Sequence, residues 1–327
     1  MAKMINTVTG PISSDALGKT YIHEHVLFGY PGFQGDLSVA PFHWDDVLQY
    51  CIDIIKPIMD NYGLQTVVDA TPNECGRNVR FLQAVAETTG LNIIPASGYY
   101  FEEEGAPAYF KQRATLTNIL PEIIELLTTE VTTGIEGTGI RAGVFKVASS
   151  KGEITPYEEV FFKAAAQVSS REGIPIITHT QEGTMGPQQA ELLISAGADP
   201  KRVAIGHMCG STDIQYHLNT LAKGVYISFD RFGLQALAGC PTDSVREAVL
   251  AGLCAAGYAD RIMLGHDAIL SWIGRPPAVP EQAFPLIANW NWNNMMVNVI
   301  PALKGMGVSD EQINLMMVEN PKRFFGY

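Results

Sequence analysis

The sequence is poor in the features that mark several large classes of protein. Its 327 residues include five cysteines, an odd number, and no Cys-x-x-Cys pair. Cys51, Cys75, Cys209, Cys240 and Cys254 therefore read as reduced thiols of a reducing compartment and not as a disulfide frame. No uninterrupted apolar run approaches the length of a membrane-spanning helix. The opening residues Met1-Ala2-Lys3-Met4-Ile5-Asn6 lack a signal peptide's apolar core, so a cytoplasmic location is expected. Basic charge is scarce and scattered: 22 Lys and Arg stand against 34 Asp and Glu, a net charge of −12. That balance gives no pull toward nucleic acid or anionic lipid, so neither is expected as a partner. Internal repeats and low-complexity segments are missing too. So is a G-x-G-x-x-G turn after the first strand, which a doubly wound dinucleotide-binding sheet would want.

What remains is a regular alternation. Two glycine turns, Thr9-Gly10-Pro11 and Leu17-Gly18-Lys19, suggest a short N-terminal hairpin. A strand around residues 21–27 follows, then a loop over 29–43 rich in Gly, Pro and aromatics. Helical periodicity runs over 44–62, with Pro57 inside it expected to break or kink it. Short apolar runs then recur at 65–70, 91–97, 143–147, 174–179, 203–207, 225–230 and 261–267. Amphipathic stretches separate them, including a long one over 106–134 that closes on Gly134. A tail with Pro, Trp and Asn leads to helices near 291–304 and 309–318. Eight strands, each followed by helical pattern, imply a parallel sheet closed into a (β/α)₈ barrel of the α/β class. A length of 327 residues would allow two domains, but barrels of this kind stay single. The chain is read as one barrel domain over 1–327.

The chemistry of such a barrel lies at the C-terminal ends of its strands. Those ends carry His23 and His25, Asp69, Tyr99 and Tyr100, Lys146, His179, His207, Asp230 and Arg231, and Asp267. His23 and His25 sit at i and i+2, so a strand presents both imidazoles on one face, as half of a divalent-metal site would need. A lone strand histidine is more often a satisfied core residue. Four of the seven histidines at the ends of apolar strands favour the metal centre. Lys146 lies inside Val144-Phe145-Lys146-Val147, where a buried ammonium is costly. It could snorkel out of the barrel mouth, form a Schiff base as in barrel aldolases, or react with CO₂ to a carbamate that bridges two metals. The convergence of four histidines and an aspartate on the same rim favours the carbamate.

The set His23-x-His25, Lys146, His179, His207 and Asp267 resembles the binuclear site of the amidohydrolase superfamily. More narrowly, the chain resembles the phosphotriesterase family and its lactonase-like branch. Supporting motifs are Gly10-Pro11-Ile12, Ile177-Thr178-His179-Thr180, Ile205-Gly206-His207 and Asn320-Pro321-x-Arg323-Phe324. The resemblance implies that His23, His25 and Asp267 hold the more buried metal and His179 and His207 the more exposed one. Carboxylated Lys146 and a hydroxide would bridge them. Zn²⁺ is the implied ion, with Co²⁺, Mn²⁺ or Fe²⁺ as alternatives. Asp267 would also shuttle the proton to the leaving group. A homodimer is implied as well.

Within that family, Tyr100 after the third strand and Arg231 after the seventh match the lactonase-like branch. They imply lactone opening, including N-acyl homoserine lactones, with promiscuous hydrolysis of organophosphate triesters. A dedicated triesterase, a carboxylesterase or an N-acyl amidohydrolase is the alternative. Gly210 stands where relatives often have Asp, which argues against a second proton shuttle. The acidic loop Glu102-Glu103-Glu104 reads as solvated; near the pocket it would disfavour anionic ligands. Residues 268–273, Ala-Ile-Leu-Ser-Trp-Ile, read as a covering loop, with Trp272 and its apolar neighbours suited to an acyl chain.

Overall fold

A computed structural model describes residues 3–237 and 239–327, so the first two residues of the expected domain lie outside the description. Strands β1 (Met4–Thr7) and β2 (Gly10–Ser13) form the N-terminal antiparallel hairpin. Then come β3 (Lys19–Phe28), β4 (Leu64–Asp69), β5 (Asn92–Gly98), β6 (Val144–Ser149), β7 (Ile176–Thr180), β8 (Val203–Ile205), β9 (Tyr226–Phe229), β10 (Ile262–Leu264) and β11 (Ile269–Trp272). All nine lie parallel in one curled sheet, in the order β10-β9-β8-β7-β6-β5-β4-β3-β11. Helices cover its outer face. They include α1 (Trp44–Tyr62), α2 (Val79–Thr89), α3 (Ala108–Ala114), α4 (Leu120–Thr132), α5 (Pro156–Glu172), α6 (Gly186–Ser195), α7 (Ile214–Leu221) and α8 (Asp243–Ala255).

The sheet closes where its first and last strands meet. Asp267 N–H donates to His23 O at 3.0 Å, and His25 N–H to Ala268 O at 3.1 Å. The eighth barrel strand is thus not one run over 261–267. It breaks after Leu264 and resumes as β11, with Asp267 at the break in the left-handed region (φ 54°). Residues 268–273 are accordingly a strand beside β3 and a wall of the site, not a free covering loop.

Alternation along each strand builds two cores. Val68, Ile94, Val144, Ile177, Ala204 and Met263 face the barrel interior, sealed below by Phe324 and Phe325. Their neighbours, such as Val67, Ile93, Phe145, Ile176, Ile205 and Leu264, pack against the helices. Lys146 and His179 therefore share the inward parity of Val144 and Ile177. β3 reaches the same result through an irregularity. Ile22 belongs to the interior core, and a register shift between Tyr21 and Glu24 turns His23 and His25 inward as well.

Two helical expectations need correction. α1 runs unbroken through Pro57, which lies on the exposed side, where water can satisfy the carbonyl that loses its partner. The stretch 106–134 is two helices, α3 and α4. The exposed segment Thr115–Asn118 follows the first, and Pro121 with the Asn118 side chain bonded to Leu120 N starts the second. In the C-terminal region the helical chain over 295–305 opens with a π-turn, Met295–Val299. No helix of the described residues is long and apolar enough to cross a membrane.

Candidate metal centre and pocket

Six side chains from five separate segments meet at the C-terminal mouth of the sheet. His23 comes from the middle of β3 and lies 1% exposed; His25 follows two residues later. Lys146 from β6 brings Nζ to 2.9 Å from His23 Nε2. Asp267 Oδ1 lies 3.2 Å from His23 Nε2 and 3.0 Å from His25 Nε2, and its Oδ2 lies 3.6 Å from His207 Nε2. The His179 and His207 rings meet edge to face, 4.6 Å between centroids. All six expected ligand residues are thus brought together. His207, like Asp267, adopts a left-handed backbone (φ 56°), a conformation more tolerable for His and Asp than for most residues.

The far nitrogens of the imidazoles are tied down. Asp230 takes His23 Nδ1 at 3.0 Å and His207 Nδ1 at 2.9 Å. A carboxylate only accepts, so both histidines carry the proton on Nδ1 and turn an Nε2 lone pair toward the cluster. Ser228 Oγ donates to the same carboxylate at 2.6 Å. His25 Nδ1 meets Thr71 Oγ1 at 2.8 Å; that hydroxyl donates onward to Leu27 O, so it accepts from the ring. His179 is oriented the other way, with Nε2 at 2.7 Å from Gln181 Oε1. These partners were invisible as such in the sequence. Asp230 was legible only as a strand-end residue, although Tyr226, Ser228 and Asp230 share one parity. Thr71 and Gln181 carried no signal.

Electrostatics favour neutral imidazoles. Burial, with Lys146 nearby, pushes His23 down to about 3. Burial also lowers His179 and His207, reinforced by His207 for the first and Arg231 for the second. Burial lowers Lys146 to about 8, and among the described residues no carboxylate reaches its amine at ion-pair distance. Burial opposes ionisation of Asp267, but His207, His23 and Arg231 outweigh it and hold the carboxyl well below its usual range. Arg231 Nε donates to Asp267 Oδ2 at 2.9 Å. The donor set is therefore three imidazole nitrogens aimed inward, an ionised carboxylate and an amine. His207 Nε2 is buried without a hydrogen-bond partner, which is what a ligand nitrogen waiting for an ion would show. The group His23, His25 and Asp267 satisfies the spacing of a metal site on its own.

Other strand-end residues divide cleanly. Asp69 is structural, accepting from Val26 N at 2.9 Å and Thr71 N at 3.2 Å. Tyr99 packs outside the barrel against Phe110 and Phe161, while Tyr100 lines the pocket and meets the His179 ring edge to face, 4.9 Å between centroids. His266 is a satisfied core histidine: Nδ1 donates to Glu24 Oε1 at 2.6 Å, and Nε2 accepts from Met295 N at 3.0 Å. The pocket above the cluster is walled by Phe28, Tyr30, Ile269 and Trp272. Glu104 lines it as well, which corrects the reading of the whole acidic loop as solvated. Glu102 is drawn aside, accepting from Thr155 Oγ1 at 2.6 Å and pairing with Lys111.

A closed parallel barrel with a cluster of imidazoles and carboxylate at its C-terminal mouth defines a hydrolase scaffold whose donors fit metal ions. The profile of the Phosphotriesterase family matches residues 3–325, and the chain belongs to that family. Its members are binuclear metal hydrolases, and this chain is a hydrolase. An organophosphorus hydrolase from Deinococcus radiodurans is 54% identical, with 99% of this chain and 97% of that one covered and a TM-score of 0.97. A second solved structure, described as molecular engineering of organophosphate hydrolysis from a weak promiscuous lactonase template, is 52% identical. It covers 99% and 100% of the two chains, again with a TM-score of 0.97. A phosphotriesterase homology protein of Mycobacterium tuberculosis is 35% identical over 327 residues, 98% of this chain and 97% of its own.

Proposed function

We propose that the protein is a binuclear metal-dependent lactonase, opening lactones that include N-acyl homoserine lactones and hydrolysing organophosphate triesters slowly. The observation that carries this reading is the convergence of three oriented Nε2 atoms on Asp267, with Lys146 beside them and Arg231 on the outer oxygen. His23, His25 and Asp267 would hold one ion and His179 and His207 the other. Lys146, as a carbamate, would bridge them; a neutral amine is what reacts with CO₂, and burial favours that form. When bound, the two ions (zinc first, with cobalt, manganese or iron as alternatives) would supply an acidic water and polarise the carbonyl.

The chain's own residues account for the rest. Asp267, held ionised, takes the proton of the attacking water as the water oxygen bonds to the acyl carbon. It returns that proton to the ring oxygen when the carbon–oxygen bond breaks. Arg231 orients Asp267 and presents its remaining N–H groups to the acyl oxygen or amide, and the Tyr100 hydroxyl serves the ester oxygen. Phe28, Ile269 and Trp272 offer an apolar wall for an acyl chain. The similarity to a structure derived from a promiscuous lactonase supports the same choice. The Deinococcus hydrolase favours a second reading, in which triesters are the main substrate.

One experiment separates the two and tests both. The purified protein is assayed with γ- and δ-lactones, acyl homoserine lactones, aryl esters, N-acyl amino acids and paraoxon, with metal content measured on the same sample. Chelation should abolish turnover, and Zn²⁺, Co²⁺ or Mn²⁺ should restore it. Full turnover after stripping would sink the metal mechanism, and a higher kcat/KM for paraoxon than for every lactone would install the second reading. A Lys146→Ala protein that keeps both ions and full activity would remove the carbamate. A homodimer, checked by light scattering, and a cytoplasmic location, consistent with the buried thiols of Cys51, Cys75, Cys209 and Cys254, complete the proposal.

A further inference from the structure

We infer that Gln181 is a positioning residue that selects the tautomer of His179, so that this histidine offers Nδ1 to the pocket while the other three offer Nε2. The inference rests on the metal-centre reading for its consequence but not for its geometry. Gln181 Oε1 lies 2.7 Å from His179 Nε2. An amide oxygen only accepts, so the ring proton belongs on Nε2 and the lone pair on Nδ1. His23, His25 and His207 show the opposite arrangement, each with Nδ1 tied to Asp230 or Thr71.

The contact is built from both sides. Phe101 stacks on the His179 ring, 5.3 Å between centroids at 18°, and Tyr100 meets it edge-on, so the ring is boxed against rotation. Gln189 Nε2 holds the His179 carbonyl at 2.7 Å. Gln181 starts a tight turn whose carbonyl accepts from Thr184 Oγ1 at 2.8 Å, which fixes where its side chain departs. Gln181 also lines the pocket, beside the more exposed half of the cluster. Removing its acceptor frees His179 to carry its proton on Nδ1, where it blocks that nitrogen as a ligand.

The test uses the full-length protein with ¹⁵N-labelled histidine. Long-range ¹H–¹⁵N spectra of the metal-free form read the tautomer directly, with the His179 signals assigned by their loss in His179→Asn. Wild type should show His179 protonated on Nε2, and His23, His25 and His207 protonated on Nδ1. Gln181→Leu should lose the Nε2–H tautomer, and Gln181→Glu, which keeps an acceptor, should retain it. After dialysis, Gln181→Leu should hold one ion firmly and the second about 10–100-fold more weakly, with Gln181→Glu holding both. A wild-type His179 protonated on Nδ1 overturns the inference whether or not any variant folds. So does an unchanged tautomer in Gln181→Leu. Wild type that binds no metal while showing the expected tautomers would refute the proposed function and leave this inference standing.

Discussion

Asp230 holds His207 at two points, accepting its backbone N–H at 2.8 Å and its ring Nδ1 at 2.9 Å through the same Oδ1. The left-handed backbone of His207 and the aim of its ring thus share one anchor. The other oxygen, Oδ2, serves His23 at 3.0 Å, so a single carboxylate orients imidazoles on either side of the centre. Asp230→Asn places an amide there that cannot accept from both rings at once. The expected result is a loss of metal affinity of about 10–100-fold with a comparable fall in kcat/KM. Metal content after dialysis, followed by steady-state assay, checks it. Unchanged metal retention would contradict the role given to Asp230.

Among the described residues, Arg231 is the one guanidinium in direct contact with the proposed proton carrier. Arg231→Lys keeps a positive charge but gives up the planar fork that spans Asp267 and the substrate. The expected cost is about 10–100-fold in kcat/KM for lactones, with metal content unchanged. A variant that loses metal in step with activity would make Arg231 a support for Asp267 and nothing more.

Glu74 gives the clearest pH dependence. Its Oε1 accepts from Tyr100 N at 2.6 Å, its Oε2 has no partner, and burial pushes its pKa up to about 8. Below the ordinary carboxyl value both folded and unfolded chains bind the proton, and nothing is gained or lost. As the pH rises from there toward 8, the unfolded chain releases the proton while the folded one keeps it, so stability falls. Glu74→Gln preserves the acceptor for Tyr100 and removes this linkage. Its stability advantage over wild type should be near zero at acid pH and grow to on the order of 2 kcal/mol by neutral to mildly alkaline pH. Denaturant melts across that range measure it, and a gap independent of pH would refute it.

Gly98 ends β5 at φ 146°, where an added Cβ would lie 1.8 Å from Lys146 O. Tyr99 N–H donates to that carbonyl at 3.0 Å, so the strand approaches Lys146 with no room to spare. Gly98→Ala should cost about 3 kcal/mol or more and displace Lys146. Thermal melting of the metal-free protein is the check, since a wild-type melting temperature would show that the two strands can part without penalty.

The barrel was legible because short apolar runs alternate with amphipathic ones, and both cores follow from that parity. The clustering of six residues was legible because His23, His25, Lys146, His179, His207 and Asp267 interrupt those runs within or at the ends of their strands. What stayed hidden depends on local departures from regularity. The register shift in β3 turns His23 inward, and the broken eighth strand places Asp267; neither leaves a compositional trace. Asp230, Thr71 and Gln181 become meaningful only when it is known which ring nitrogen faces which neighbour. The acidic loop divides by contacts that no pattern announces: Glu102 N–H is held by buried Glu158 at 2.9 Å, while Glu104 reaches the pocket.

The seam between β3 and residues 265–272 has a bearing on how the protein is made. His23 and His25 leave the ribosome early, whereas Asp267, bonded to His23 O, leaves after four-fifths of the chain has been synthesised. Until then the cluster lacks the Asp267 carboxylate that faces both imidazoles, and the ring of strands has a gap. Loading of the proposed metal centre would consequently be a late event in biogenesis, after translation has passed the eighth strand.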